Sequence, residues 1–143
     1  MEYFFGRNPF GRSSWDEAYD NLLPPVVPDG NYIVLVRDTV ILRTKSGNGH
    51  YLLVKYLIAN GPYKGVVLSD IFNFDNPNTT TVAFAAKNLR SLCMAVGMPL
   101  LYCCEDEHAD LQNHYLIITT RQKVRENDGE IESKVEKHAA YKQ

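Results

Sequence analysis

Residues 31–74 read NYIVLVRDTVILRTKSGNGHYLLVKYLIANGPYKGVVLSDIFNF, and this stretch decides the fold. From Asn31 to Lys45, Tyr32, Val34, Val36, Val40 and Leu42 lie on one parity, with Ile33, Leu35, Arg37, Ile41 and Arg43 on the other. Residues two apart along a strand share a face, so this is a strand with two partly apolar faces. Ser46-Gly47-Asn48-Gly49 is a turn, and a second strand runs from His50 to Ala59. Its inward parity is Leu52, Val54, Tyr56 and Ile58, which leaves Tyr51, Leu53, Lys55 and Leu57 facing out. Asn60-Gly61-Pro62 breaks the run, and Gly65 to Phe74 makes a third strand, giving an antiparallel meander.

Beyond the meander, Asp75-Asn76-Pro77-Asn78 is a turn, after which Val82, Ala85, Ala86, Leu89, Leu92, Cys93 and Val96 recur at helical spacing. Gly97, with Pro99 two residues on, ends that helix. Leu111 to Val124 is strand-like, Asn127-Asp128-Gly129 is a hairpin turn, and Ile131 to Tyr141 completes the chain either as a last strand or as a solvated helix. Before the meander, Ser14-Trp15-Asp16-Glu17 has capping-box spacing and predicts a short helix from about Trp15 to Leu22. Pro24, Pro25 and Pro28 end it, so residues 1–27 read as an arm and 28–143 as the domain. Three strands, a helix and two strands make a mainly β chain, with the element order of the five-stranded oligonucleotide/oligosaccharide-binding (OB) barrel.

The chain has 143 residues, enough for one domain with a real core. Its net charge of −2 does not announce a polyanion partner, but the charge is unevenly spread. Residues 31–64 hold five basic residues and one acidic, whereas residues 65–120 hold two basic and six acidic. A local cationic face therefore coincides with the first strands. Three cysteines, two of them adjacent at Cys103 and Cys104, are too few and badly spaced for a disulfide framework. No run approaches the ~20 apolar residues of a membrane span, and residues 1–12 lack a signal pattern, so the expected compartment is a cytoplasm.

Several residues are candidates for a binding face. Arg37 and Arg43 are expected to share the outward face of the first strand with Ile33, and Tyr51 and Lys55 that of the second. Lys45 and His50 bracket the intervening turn, Tyr63 and Lys64 sit at the next, and Arg121, Lys123 and Arg125 share a parity farther on. Cations that track phosphates, with flat rings on which bases stack, are what single-strand binding requires. The competing reading is that Tyr51, Leu53 and Leu57 are covered by the arm or by a second subunit. The repeated Phe5-Gly6-Arg7 and Phe10-Gly11-Arg12 either wraps nucleic acid or, as the preferred reading, packs Phe5, Phe10 and Trp15 on a partner or an oligomer neighbour. Adjacent Cys103 and Cys104 do not have zinc-ligand spacing, and the run Glu105, Asp106, Glu107, Asp110 reads as a solvated loop rather than a nuclease site. No G-x-x-x-x-G-K-[ST] loop or nucleophile elbow is present, so neither a metal nor another cofactor nor an enzymatic activity is expected.

Pro28-Asp29-Gly30-Asn31-Tyr32, Lys45-Ser46-Gly47, Tyr63-Lys64-Gly65 after Gly61, Asn76-Pro77-Asn78, and Leu89 through Leu92-Cys93 to Gly97 together resemble a bacteriophage protein family. Its members lie among phage recombination and replication genes and are regarded as single-stranded-DNA-binding proteins with the barrel fold. The resemblance covers about residues 28–99 and implies a non-enzymatic, oligomeric cover for single strands, working beside a recombinase, helicase or polymerase. The alternative is an OB-fold protein–protein adaptor in a replication or recombination complex. No acidic tail with a hydrophobic tip closes the chain, which ends His138-Ala139-Ala140-Tyr141-Lys142-Gln143.

Overall fold

The computed structural model describes residues 25–98, 106–126 and 128–142. Five strands form one antiparallel sheet: β1 (Gly30–Arg43), β2 (His50–Ile58), β3 (Val67–Asp75), β4 (Tyr115–Val124) and β5 (Ile131–Ala140). Their spatial order is β3-β2-β1-β4-β5, with helix α1 (Thr79–Val96) between β3 and β4 in sequence and a short 3₁₀ turn at Asp106–Leu111. The segment left open between strand and helix, residues 131–140, is a strand. The expected arm helix with Phe5, Phe10 and Trp15, and the Cys103-Cys104 pair, lie outside the described residues.

β2 follows period-two burial: Leu52, Val54, Tyr56 and Ile58 are in the core, and Tyr51, Leu53, Lys55 and Leu57 are half-buried on the other face. β1 departs from its expected parity. The register shifts between Val36, opposite Tyr56, and Asp38, opposite Lys55, so Arg37 is the extra residue of a β-bulge. One extra residue exchanges the faces of everything after it. Val34 and Val36 are buried as expected, but beyond the bulge Thr39 is buried and Ile41 packs on the core. Val40 and Leu42, expected inside, are 38% and 37% exposed. The pairing of Ile41 and Arg43 with the outward face is thereby corrected, although Arg43 is exposed at the strand end.

Asn78 caps α1, its side chain accepting from the N–H groups of Thr80 and Thr81. At the other end Gly97, at φ 78°, turns the chain left-handed while Gly97 N–H donates to Met94 O and Met98 N–H to Cys93 O. This is a Schellman stop at the glycine the sequence marks. Ala85, Leu89, Leu92 and Cys93 bury the helix against the same core as β2. β3 begins at Val67 rather than Gly65, because Gly65, at φ 94°, still belongs to the turn. β4 begins at Tyr115, because Leu111 ends the 3₁₀ turn and Asn113 adopts φ 69° before the strand.

The sheet does not close into the expected barrel: β3 and β5 remain its edges and form no backbone ladder with each other. α1 packs against both edges, and side chains span the seam in place of backbone bonds. At the entry to β1, Val27 is part of the core, and its backbone is held by Ser133 Oγ and Gln122 Nε2. No helix among the described residues is long and apolar enough to cross a membrane.

Candidate nucleic-acid interface

Register assembles the outer face of β1, β2 and β3 row by row. Leu42 stands opposite Tyr51; Val40, Leu53 and Ile71 form the next row; Asp38, Lys55 and Ser69 the next; Leu35, Leu57 and Val67 the last. Directly opposed residues share a face, so Tyr51 stands in an apolar field made by Val40, Leu42, Leu53 and Ile71. Arg37 projects from the bulge, and Arg43 and Lys45 lie where β1 enters the turn to β2.

That turn is held in place. Thr44 N–H donates to Gly49 O, and Gly47 N–H to Thr44 O with Gly47 at φ 79°. Gly49 lies so close to the end of β3 that a Cβ there would meet Asp75 O at 2.3 Å, so only glycine fits. His50 Nδ1 sits 2.7 Å from Asp75 Oδ2, a second tie between the turn and β3. Lys45 is thus presented from a loop anchored at both ends.

The expected cations divide into two sets. Among the described residues, Arg37, Arg43, Lys45, Lys55 and Lys64 make no salt bridge, and all but half-buried Lys55 are exposed. Arg121 and Lys123 share a face of β4, but both are taken by Glu136, at 3.1 Å each. Those two cations hold the Glu136 carboxyl below its ordinary value, the hydrogen bond from Lys123 contributing most. Arg125 lies past the end of β4 and forms a fork with Asp128, which lowers the Asp128 carboxyl and raises the guanidinium. Tyr63 is not on the sheet face: it packs edge-on against Tyr32 at 6.3 Å, in the turn where Lys64 is exposed.

Sequence reasoning missed a polar chain in the core. Tyr56 Oη donates to Asp70 Oδ2 at 2.9 Å, His138 Nε2 meets the same oxygen at 2.9 Å, and His138 Nδ1 lies 3.2 Å from Ser91 Oγ. The His138 side chain is 2% exposed and that of Asp70 13%, so the chain joins β2, β3, β5 and α1 largely away from solvent. Burial, then the neighbouring Asp70 carboxylate, push the Tyr56 hydroxyl well above its ordinary value. No sequence motif links these four residues, which lie as far apart as Tyr56 and His138. Among the described residues no three His, Cys, Asp or Glu are placed to hold a metal ion.

Residues 23–142 match the model of a family described as a protein of unknown function, DUF669. The match extends past the motifs of residues 28–99 to take in β4 and β5. No curated protein matches the chain.

Proposed function

The chain belongs to the DUF669 family, and from that premise we propose that it is a single-stranded-DNA-binding protein with an OB-type layout. The OB reading is supported by the element order, by the helix between the third and fourth strands, and by edges that approach each other through His138 and Asp70. OB barrels are five-stranded and partly open, and they bind oligonucleotides on the face of the second and third strands and on adjoining loops.

The observation that carries the functional reading is the set of cations without salt bridges among the described residues, Arg37 and Lys55 on the face that carries Tyr51 and Lys45 at its turn, with Arg43 exposed at the end of β1. Phosphates neutralise such cations and release counterions, while a base stacked on a ring contributes about 1–3 kcal/mol without regard to sequence. Val40, Leu53 and Ile71 offer further apolar surface to unstacked bases. The phage setting, the oligomeric state, the cytoplasm of a host cell, and work beside a recombinase, helicase or polymerase come from the family resemblance and are part of the proposal.

The adaptor reading is favoured by one observation: the bulge turns Val40 and Leu42 outward beside Ile71, more exposed apolar surface than cation tracking requires. Salt separates the two. Fluorescence anisotropy of labelled single- and double-stranded oligonucleotides, across a salt series and with a chelator control, is expected to show preferential, salt-sensitive binding of the single strand without cleavage. Absence of binding at low salt would overturn the DNA reading and leave the adaptor.

A further inference from the structure

The solvent side of α1 is unusual in composition. The helix contains no acidic residue in its whole length, Thr79 to Val96. Its buried side is Ala85, Leu89, Leu92 and Cys93. At 100° per residue, Ala83, Lys87, Arg90 and Met94 form a narrow stripe opposite that side, with Phe84 flanking it. All five are exposed, Phe84 to 63% and Met94 to 73%. Neither Lys87 nor Arg90 makes a salt bridge among the described residues.

A solvated helix face ordinarily sets its cations against carboxylates three or four residues away, and seldom leaves two large apolar side chains bare. Here the order along the helix is aromatic, cation, cation, thioether, over about 15 Å at 1.5 Å per residue. We propose that this stripe docks an acidic peptide carrying apolar side chains: carboxylates against Lys87 and Arg90, apolar groups against Phe84 and Met94. Charge complementarity selects that occupant, since the helix offers cations with no competing carboxylate. Methionine adapts to differently shaped apolar groups, which suits a short peptide. Nucleic acid is the weaker fit, because two cations make a short track and a thioether offers no stacking plane. The helix also lies on the core side of the sheet, away from Tyr51 and Lys55. The inference goes beyond the nucleic-acid reading and does not depend on it.

The test is a titration of the full chain into a fluorescein-labelled ten-residue peptide of alternating acidic and Leu or Phe residues, with a lysine-substituted peptide as control. Saturable anisotropy is expected for the acidic peptide alone. K87E/R90E is expected to weaken it at least tenfold and F84S about threefold or more, with single-stranded oligonucleotide affinity unchanged in both variants. All three positions are exposed, and circular dichroism checks that the variants fold. The proposal is overturned by the lack of saturable binding, by equal binding of the lysine peptide, or by unchanged binding in both variants. Parallel loss of oligonucleotide and peptide binding would also overturn it, by assigning the helix to the nucleic-acid surface.

Discussion

His138 places its Nε2 2.9 Å from Asp70 Oδ2, although the two strands that carry them are the opposite edges of the sheet. Followed through the ladders, the row of Asp70 crosses Val54 and reaches β1 at Thr39, while the row of His138 crosses Ile118 and reaches β1 at Tyr32. The contact therefore joins rows roughly 20 Å apart along β1, at about 3.3 Å per residue. Such an offset is what tilted strands acquire as a sheet winds round its core, so one side-chain contact marks how far the sheet has curled. His138→Ala is expected to lower stability by about 1–3 kcal/mol, since it removes one of the two hydrogen-bond partners of the largely buried Asp70 carboxylate and leaves a gap between β5 and β3. Urea denaturation measures it, and a loss below about 0.5 kcal/mol would show that the contact does not hold the seam.

Tyr56 gives the same cluster an alkaline signature. Its hydroxyl titrates well above the ordinary value of 10.0 in the folded protein, because ionisation would put a phenolate out of water beside Asp70. Above pH 10 the unfolded chain has released this proton and the folded chain has not, so stability falls as pH rises. It is fully present below that pH. Tyr56→Phe is expected to flatten this part of the alkaline limb in denaturation curves taken across pH; an unchanged limb would assign it to other groups.

The bulge at Arg37 makes three substitutions diagnostic. Val40→Ser and Leu42→Ser, on exposed positions, are expected to change stability by about 0.5 kcal/mol or less, whereas Ile41→Ala is expected to cost about 1–3 kcal/mol. Uninterrupted alternation from Tyr32 demands the reverse order. Thermal or urea unfolding of the three variants decides between them.

For binding, the division between free and paired cations sets the ranking. Arg37→Ala with Arg43→Ala is expected to weaken single-stranded oligonucleotide binding and to reduce the salt slope by about 0.7 per lost phosphate contact. Tyr51→Ala is expected to cost about 1–3 kcal/mol with the slope unchanged. Arg121→Ala with Lys123→Ala is expected to have the smaller effect, because Glu136 already holds both. Equal effects from the two cation pairs would remove the basis for that ranking.

How legible each part was follows from how local its cause is. β2 was legible because its alternation from His50 to Ile58 is unbroken and one face is fully buried. α1 was legible because helical spacing runs to a glycine that the backbone uses as a stop. The reversal beyond Arg37 was not legible: a bulge adds a residue without changing the run of strand-forming side chains on either side. Residues 131–140 stayed open because Glu132, Lys134, Glu136 and Lys137 suit a solvated helix as well as an edge strand. The long-range side-chain relations lay out of reach altogether. Nothing near Arg121 announces that Glu136 will occupy it, and nothing near Asp70 announces His138, 68 residues on.

The hydrogen bond from Val27 N–H to Ser133 Oγ spans 106 positions and joins the start of the described domain to its last strand. A ribosome releases the chain from the N-terminus, so the β2–β3 hairpin has its partners early, whereas Val27, and the side of α1 that packs on β5, wait for β5. Contacts of such separation carry the largest loop-closure cost and set the pace of folding. The newborn chain consequently holds an unfinished core, with β1 lacking its neighbour β4, until β4 and β5 have emerged.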